Sequence, residues 1–242
     1  MDKDRIGGGG ESSSENVLMG SGSETELPPA MRLQILTTEH WSLLSTRAMS
    51  WNEAFSRATM FLSVLSGAVV ALALVAQVTS FGEAFLTFAL LILPVVLFIG
   101  VATFVRLVQI NHEDVRWVTG MNLLRHAYLA SAPELRPYFV TGWHDDEAGI
   151  MTTFAAKPGP GGFAHQFVTT PGILAVVNAM VAGTLAGIVA PRIGLALPAA
   201  IGMAIAVALV TVGVLALHQY RGVVEPRGRN PARFPESSPR IG

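Results

Sequence analysis

The chain has 242 residues, of which 51% are apolar and only 14% charged, with a mean hydropathy of +0.49. Ordinary soluble domains carry about a quarter charged residues, so this balance points to an integral membrane protein. A formal net charge of −1 leaves no basic face for a nucleic-acid partner, and the absence of cysteine excludes disulfides, thiolate nucleophiles and cysteine-ligated metals.

Residues 1–30 are rich in Gly, Ser and Glu and read as a disordered tail with no signal-peptide core. From Met31 the pattern turns helical. Trp41, Leu44, Ala48, Trp51, Phe55, Ala58 and Leu62 fall at alternating three- and four-residue spacing, the mark of one packed face on a helix over 31–57. The uncharged run 58–82 follows, about 37 Å long as a helix and sufficient for a hydrocarbon core of about 30 Å. A second uncharged run, 84–105, carries Pro94 near its middle as an expected kink.

The helical period continues past Arg106 through Leu107, Ile110, Trp117, Met121, Leu124 and Tyr128 to a stop near Pro133, so span 2 is expected to extend into a polar segment over 106–165. KPGPGG at 157–162 reads as a linker. Two further apolar runs, 171–190 and 193–217, are separated only by Pro191 and Arg192 and predict a tight hairpin. Residues 221–242, rich in Pro and Arg, read as a solvated tail.

Basic residues orient this layout. Five precede span 1, five lie in 106–165 and five follow span 4, whereas Arg192 stands alone on the other side. The positive-inside rule places both termini and the 106–165 segment in the cytoplasm. Arginine outnumbers lysine 14 to 2, which with abundant Ala, Gly and Val suggests a bacterial source and hence the inner membrane. The expected fold class is all-α, a polytopic membrane protein with four transmembrane helices and a cytoplasmic helical layer. Trp41, Trp51, Trp117 and Trp143 all fall in that layer and are expected to form its core.

Two polar clusters compete for a functional role. In NHEDVRW, Asn111–Trp117, successive side chains on a helix point about 100° apart and do not converge as the i, i+4 pair of a helical metal site does. Glu113 and His112 are instead spaced for surface pairs with Arg116. Asp114 differs, because it sits seven residues from both Leu107 and Met121, inside the apolar stripe. It must either pair with Arg47 or Arg57 on the extension of span 1 or face an opening to water. In WHDDE, Trp143–Glu147, Asp145 is the expected N-cap of a short amphipathic helix, AGIMTTFAAK, with Asp146 and Glu147 in its first turn. A divalent-cation site assembled from His112, Asp114, His144 and Asp145 is the weaker alternative. No cofactor fingerprint, nucleophile elbow or phosphate loop is present, and no catalytic residue or cofactor is expected.

The four spans contain no Asp, Glu, Lys, Arg or His, which removes the residues of most proton relays. Asn178 is the most polar group among them and reads as interhelical glue. Ala179, Gly183 and Gly187 form a small-residue stripe for close helix packing, within the hairpin or, as favoured here, between subunits of a homo-oligomer.

TTEHWSLLSTRAMSWNEAFSRATMFLSVLSGAVVALAL, residues 37–74, resembles the start of uncharacterised bacterial four-span membrane proteins in which a polar helix leads into the first span. The helix-plus-hairpin layout is also similar to that of two-span SLATT-type effector modules, without a shared motif. Neither resemblance supplies catalytic residues. The expected function is a non-enzymatic membrane scaffold or regulatory module that uses its cytoplasmic helices to bind a protein partner or to sense the membrane. An oligomeric channel is the first alternative and a membrane enzyme with a cytoplasmic metal site the second.

Overall fold

A computed structural model describes residues 27–154, 169–224 and 232–236. The expectations for residues 1–26, for the 157–162 linker and for most of the C-terminal tail lie outside the described residues. Within them the chain is all-helical: α1 Pro29–Thr79, α2 Glu83–Ser131, a 3-10 turn Pro133–Tyr138, α3 Glu147–Thr153, α4 Thr170–Arg192 and α5 Leu197–Val224. The four long helices α1, α2, α4 and α5 are long and apolar enough to cross a membrane.

Helices α1 and α2, of 51 and 49 residues, are each about 75 Å long, more than twice a hydrocarbon core. Each therefore carries an apolar half and a polar half on one continuous rod. The pair is joined at its apolar end by a turn in which Ser80 and Phe81 both take left-handed backbone angles, φ 47° and 60°. Phe81 packs edge-on against Phe85, and the Gly82 N–H donates to the Thr79 carbonyl, contacts that offset the unfavourable backbone. Pro29 occupies the first turn of α1, where its missing N–H is no loss.

The apolar stripe expected to pack does so only in part: Ala58 is buried and Trp51 packs against the core, while its other large side chains stay outside. α1 meets α2 through Leu43, Arg47, Ala54, Ala58, Phe61, Leu65, Ala68, Leu72 and Ala76, whereas Trp41, Leu44, Phe55 and Leu62 point outward. Both stripes have helical spacing. The alanine-rich one wins because small side chains let the two rods approach closely over their full length. Ala89, Leu93, Val96, Phe104 and Leu107 of α2 fill the seam, and Leu174, Ala175 and Val181 of α4 and Leu215 of α5 complete the main core.

The α4–α5 hairpin corrects the expected boundary at Pro191-Arg192. Both residues remain in α4, which ends at Arg192 with Ile193 as its C-cap, and Gly194, with φ of +87°, is the left-handed residue that follows. The Leu195 and Gly194 N–H groups close on the Ala190 and Pro191 carbonyls. At this same end Arg192 reaches Glu83 at 2.5 Å and ties the two hairpins together.

The polar halves of α1 and α2, the 3-10 turn and α3 form a second layer with its own small core of Val118, Met121 and Ile150, flanked by Leu43 and Val115. The tryptophans do not make that core. Trp41 is 64% exposed, Trp51 packs against the main core, Trp143 lies under Arg136, and Trp117 is half-buried with its indole N–H unpartnered.

Candidate functional site

The polar layer is organised around Asp114, which is 2% exposed. Its carboxylate accepts Arg47 Nε at 2.6 Å and Arg47 Nη2 at 3.1 Å, and the Trp51 indole N–H donates to the same Oδ1 at 3.2 Å. This planar fork, with a third donor from one turn along α1, satisfies most of the carboxylate's acceptor capacity. Arg57 is not a partner. It lies ten residues farther along α1, about 15 Å, and bonds Glu53 at 2.8 Å instead. Between these two levels Arg106 bridges the helices, donating to both Glu53 oxygens at 2.9 Å and to Glu113 at 3.0 Å. Glu113 thus pairs across two turns with Arg106 rather than with Arg116. Hydrogen bonds from Arg106 and then Arg57 hold the Glu53 carboxyl down to about 2.

Desolvation disfavours the charged form of two histidines of this layer, His40 and His112. Burial lowers the His112 pKa, aided by His218 and Arg116, and burial followed by the Arg125 charge lowers that of His40. His112 Nε2 and His40 Nδ1 are buried without a hydrogen-bond partner, so protonation there would strand an extra donor. His40 stacks on Tyr128, whose hydroxyl donates to the Leu36 carbonyl at 2.9 Å and fixes the far ends of α1 and α2 together.

A second node, missed in the sequence, is Asn122, fully buried on α2. Its amide donates to the His144 carbonyl at 2.8 Å, and its Oδ1 accepts from Arg125 at 2.8 Å, with the Thr153 hydroxyl at 3.0 Å. Thr153 also accepts the Gly142 N–H at 3.1 Å. The strand of chain around 142–144 therefore lies flat against α3. A Cβ at Gly142 would stand 2.1 Å from the Gly149 carbonyl oxygen, and one at Gly149 only 2.2 Å from that of His144, so both positions require glycine. Asn122 is adjacent to the core residue Met121, and an amide flanking an apolar stripe is the only signal the sequence carried for it.

In WHDDE the N-cap is Asp146, not Asp145: its Oδ1 accepts the Gly149 N–H at 2.9 Å, and the helix is shorter than expected, Glu147–Thr153. Starting one residue later leaves Asp145 free to turn away from α3. Both of its oxygens accept main-chain N–H groups of the C-terminal segment, Arg233 and Phe234 at 2.8 Å each, while Asp146 Oδ2 accepts Glu236 N–H at 2.7 Å. His144 Nδ1 donates to the Phe234 carbonyl at 3.0 Å, and the Phe234 ring stacks on His126 at 4.1 Å. These residues border a groove of about 450 Å³ lined by His126, Leu129, Pro133, Arg136, Trp143 and Glu236, where the Arg136 guanidinium covers the Trp143 ring at 5.0 Å.

The residues proposed for a divalent site are dispersed by these contacts. Asp114 is held by Arg47, Asp145 and His144 by the tail, and among the described residues no three His, Asp or Glu side chains converge. In the apolar half, Asn178 is fully buried. Its amide donates to the Leu174 carbonyl at 2.8 Å, and its Oδ1 lies unpartnered where a Cβ on Gly100 would be, against Phe61. Gly183 faces the Ala204 carbonyl and the Ala208 methyl of α5, and Gly187 faces the Ala204 methyl. The glycines of the small-residue stripe are thus covered within the hairpin rather than left for a second subunit, because the short connection at Gly194 already brings α5 alongside. Compared with protein-family models, curated proteins and solved structures, the chain gives no match.

Proposed function

We propose that this chain is a non-enzymatic inner-membrane module, both termini cytoplasmic, that presents its polar layer to a protein partner. The observation that carries this reading is the outward stripe of Trp41, Leu44 and Phe55 on the part of α1 that precedes the uncharged run, exposed by 39–64% although spaced as a packing face. An unpartnered apolar stripe on a rigid rod is suited to take a helix of another polypeptide, with Trp41 as its aromatic anchor. The rod is continuous with span 1 and clamped to span 2 by Asp114 and Arg106, so a partner's pull on the layer would reach the spans. The carboxylates that catalysis would need are engaged in these structural bonds, and Asn178 faces Gly100 and Phe61 rather than a lumen, which disfavours the enzyme and channel readings. The test places a photo-crosslinking amino acid at Trp41 in native membranes and measures ion flux of the purified chain in liposomes. A discrete protein adduct without flux is expected. No adduct, or a flux abolished by Asn178→Leu, would reject the proposal.

A further inference from the structure

The contacts of residues 232–236 have the form of peptide recognition rather than of incidental packing. Three main-chain N–H groups, those of Arg233, Phe234 and Glu236, are each received by a carboxylate oxygen at 2.7–2.8 Å. Pro235, which has no N–H, stands at the one position between them where no donor is required. The preceding Phe234 is biased by that proline toward an extended backbone, which lets its carbonyl meet His144 while its ring lies on His126. A ligand lacking the proline would present an N–H there with no acceptor given. A ligand lacking the aromatic ring would leave the His126 face uncovered. Charge agrees with this geometry on balance, since the seat carries Asp145 and Asp146 against Arg136, whereas residues 225–236 carry Arg227, Arg229 and Arg233 against Glu225 and Glu236.

We infer that the groove between the end of α2 and the 143–146 turn is a short-peptide site. It reads an extended aromatic-proline segment through its main-chain N–H groups, and Ala232–Glu236 of the same chain is its resident ligand. Seated, the segment ties the chain beyond α5 back to the end of α2, and it occupies the site against any other peptide of the same pattern. This holds whether or not the outward stripe of α1 binds a partner, because it uses different residues on a different face.

Two measurements on the full-length chain test it. A benzophenone side chain at Phe234, activated in a mixture of isotopically heavy and light copies, is expected to give adducts to residues 126–144 within one copy. Heavy–light adducts, or adducts elsewhere, would overturn the own-chain assignment. A fluorescent peptide of the sequence NPARFPESS, residues 230–238, is expected to bind the Phe234→Ala chain at least tenfold more tightly than wild type, because the resident segment no longer competes. Adding Asp145→Ala to that variant should weaken binding at least tenfold, and since Asp145 does not cap α3, the fold is not at stake. Equal affinity for wild type and Phe234→Ala, or indifference to Asp145→Ala, would overturn the site.

Discussion

Replacing Arg47 by leucine should destabilise the protein more than replacing the acid it binds. Without Arg47 the Asp114 carboxylate, with only 3% of its side chain exposed, retains a single donor, Trp51. Leaving a buried charge without its partner costs about 3–5 kcal/mol, and water admitted at the edge of the layer puts the expected value near the lower figure, about 3 kcal/mol. In Asp114→Leu the survivor is Arg47, already 27% exposed, whose long stem can carry the guanidinium into water. About 1–2 kcal/mol follows, chiefly from lost hydrogen bonds. The double variant leaves no stranded charge and should fall below Arg47→Leu alone, giving a coupling of about 2 kcal/mol in the cycle. Unfolding of the four proteins in mild detergent, followed by circular dichroism and tryptophan fluorescence, measures these differences. Strict additivity, or a larger loss for Asp114→Leu than for Arg47→Leu, would refute the clamp as the organising contact of the layer.

Gly183→Leu should lower protomer stability by about 3 kcal/mol without changing oligomeric mass, because its side chain meets the α5 backbone, whereas Gly202→Leu, with nothing within 4 Å, should change stability by less than about 0.5 kcal/mol; a fall in mass for Gly183→Leu would return the stripe to a subunit interface. Gly149→Ala should cost about 3 kcal/mol or release α3, read as protease cleavage between 132 and 154, since the His144 carbonyl that its Cβ would strike is main chain. Acidification should also destabilise the layer in two steps. His40 and His112 have folded pKa values below the ordinary 6.5, so the unfolded chain binds more protons and stability falls as pH drops below about 6.5. Glu53, held at about 2, contributes stability present above its ordinary 4.5 and lost as pH falls from there toward 2. The melting midpoint against pH should show the first step flattened in the double variant His40→Gln/His112→Gln.

The apolar spans were legible in the sequence because their signal is one-dimensional: an uncharged run of sufficient length needs no knowledge of its neighbours. The boundary between α4 and α5 was legible too, but from Gly194 rather than from Pro191. A proline at the last turn of a helix forfeits little, whereas only a glycine readily takes a φ of +87°. Asp114 was conspicuous because a charge interrupts an apolar stripe. The choice of Arg47 over Arg57 was not, because it depends on how far α1 slides along α2, and the alanines at 54, 58, 68 and 76 set that register through contacts no periodicity reveals.

Periodicity misled at α1 for a reason that bears on function. Two stripes with the same spacing run along one helix and share Ala58, and a sequence pattern cannot say which of the remaining residues meet the chain's own core. The stripe with the larger side chains looked like the core by the usual rule that bulk is buried. In this fold the small stripe is buried, because two rods about 75 Å long gain more from close approach along their whole length than from a few large side chains at intervals. The bulky stripe then remains outside, and its lower part, Trp41 and Leu44, lies beside the polar layer rather than beside the uncharged run, where lipid could cover it. Helical spacing of apolar residues on a surface that the chain itself does not bury is the feature on which the proposed protein partner rests. The same mismatch between pattern and packing that defeats the assignment of the core therefore locates the surface on which a partner is to be sought.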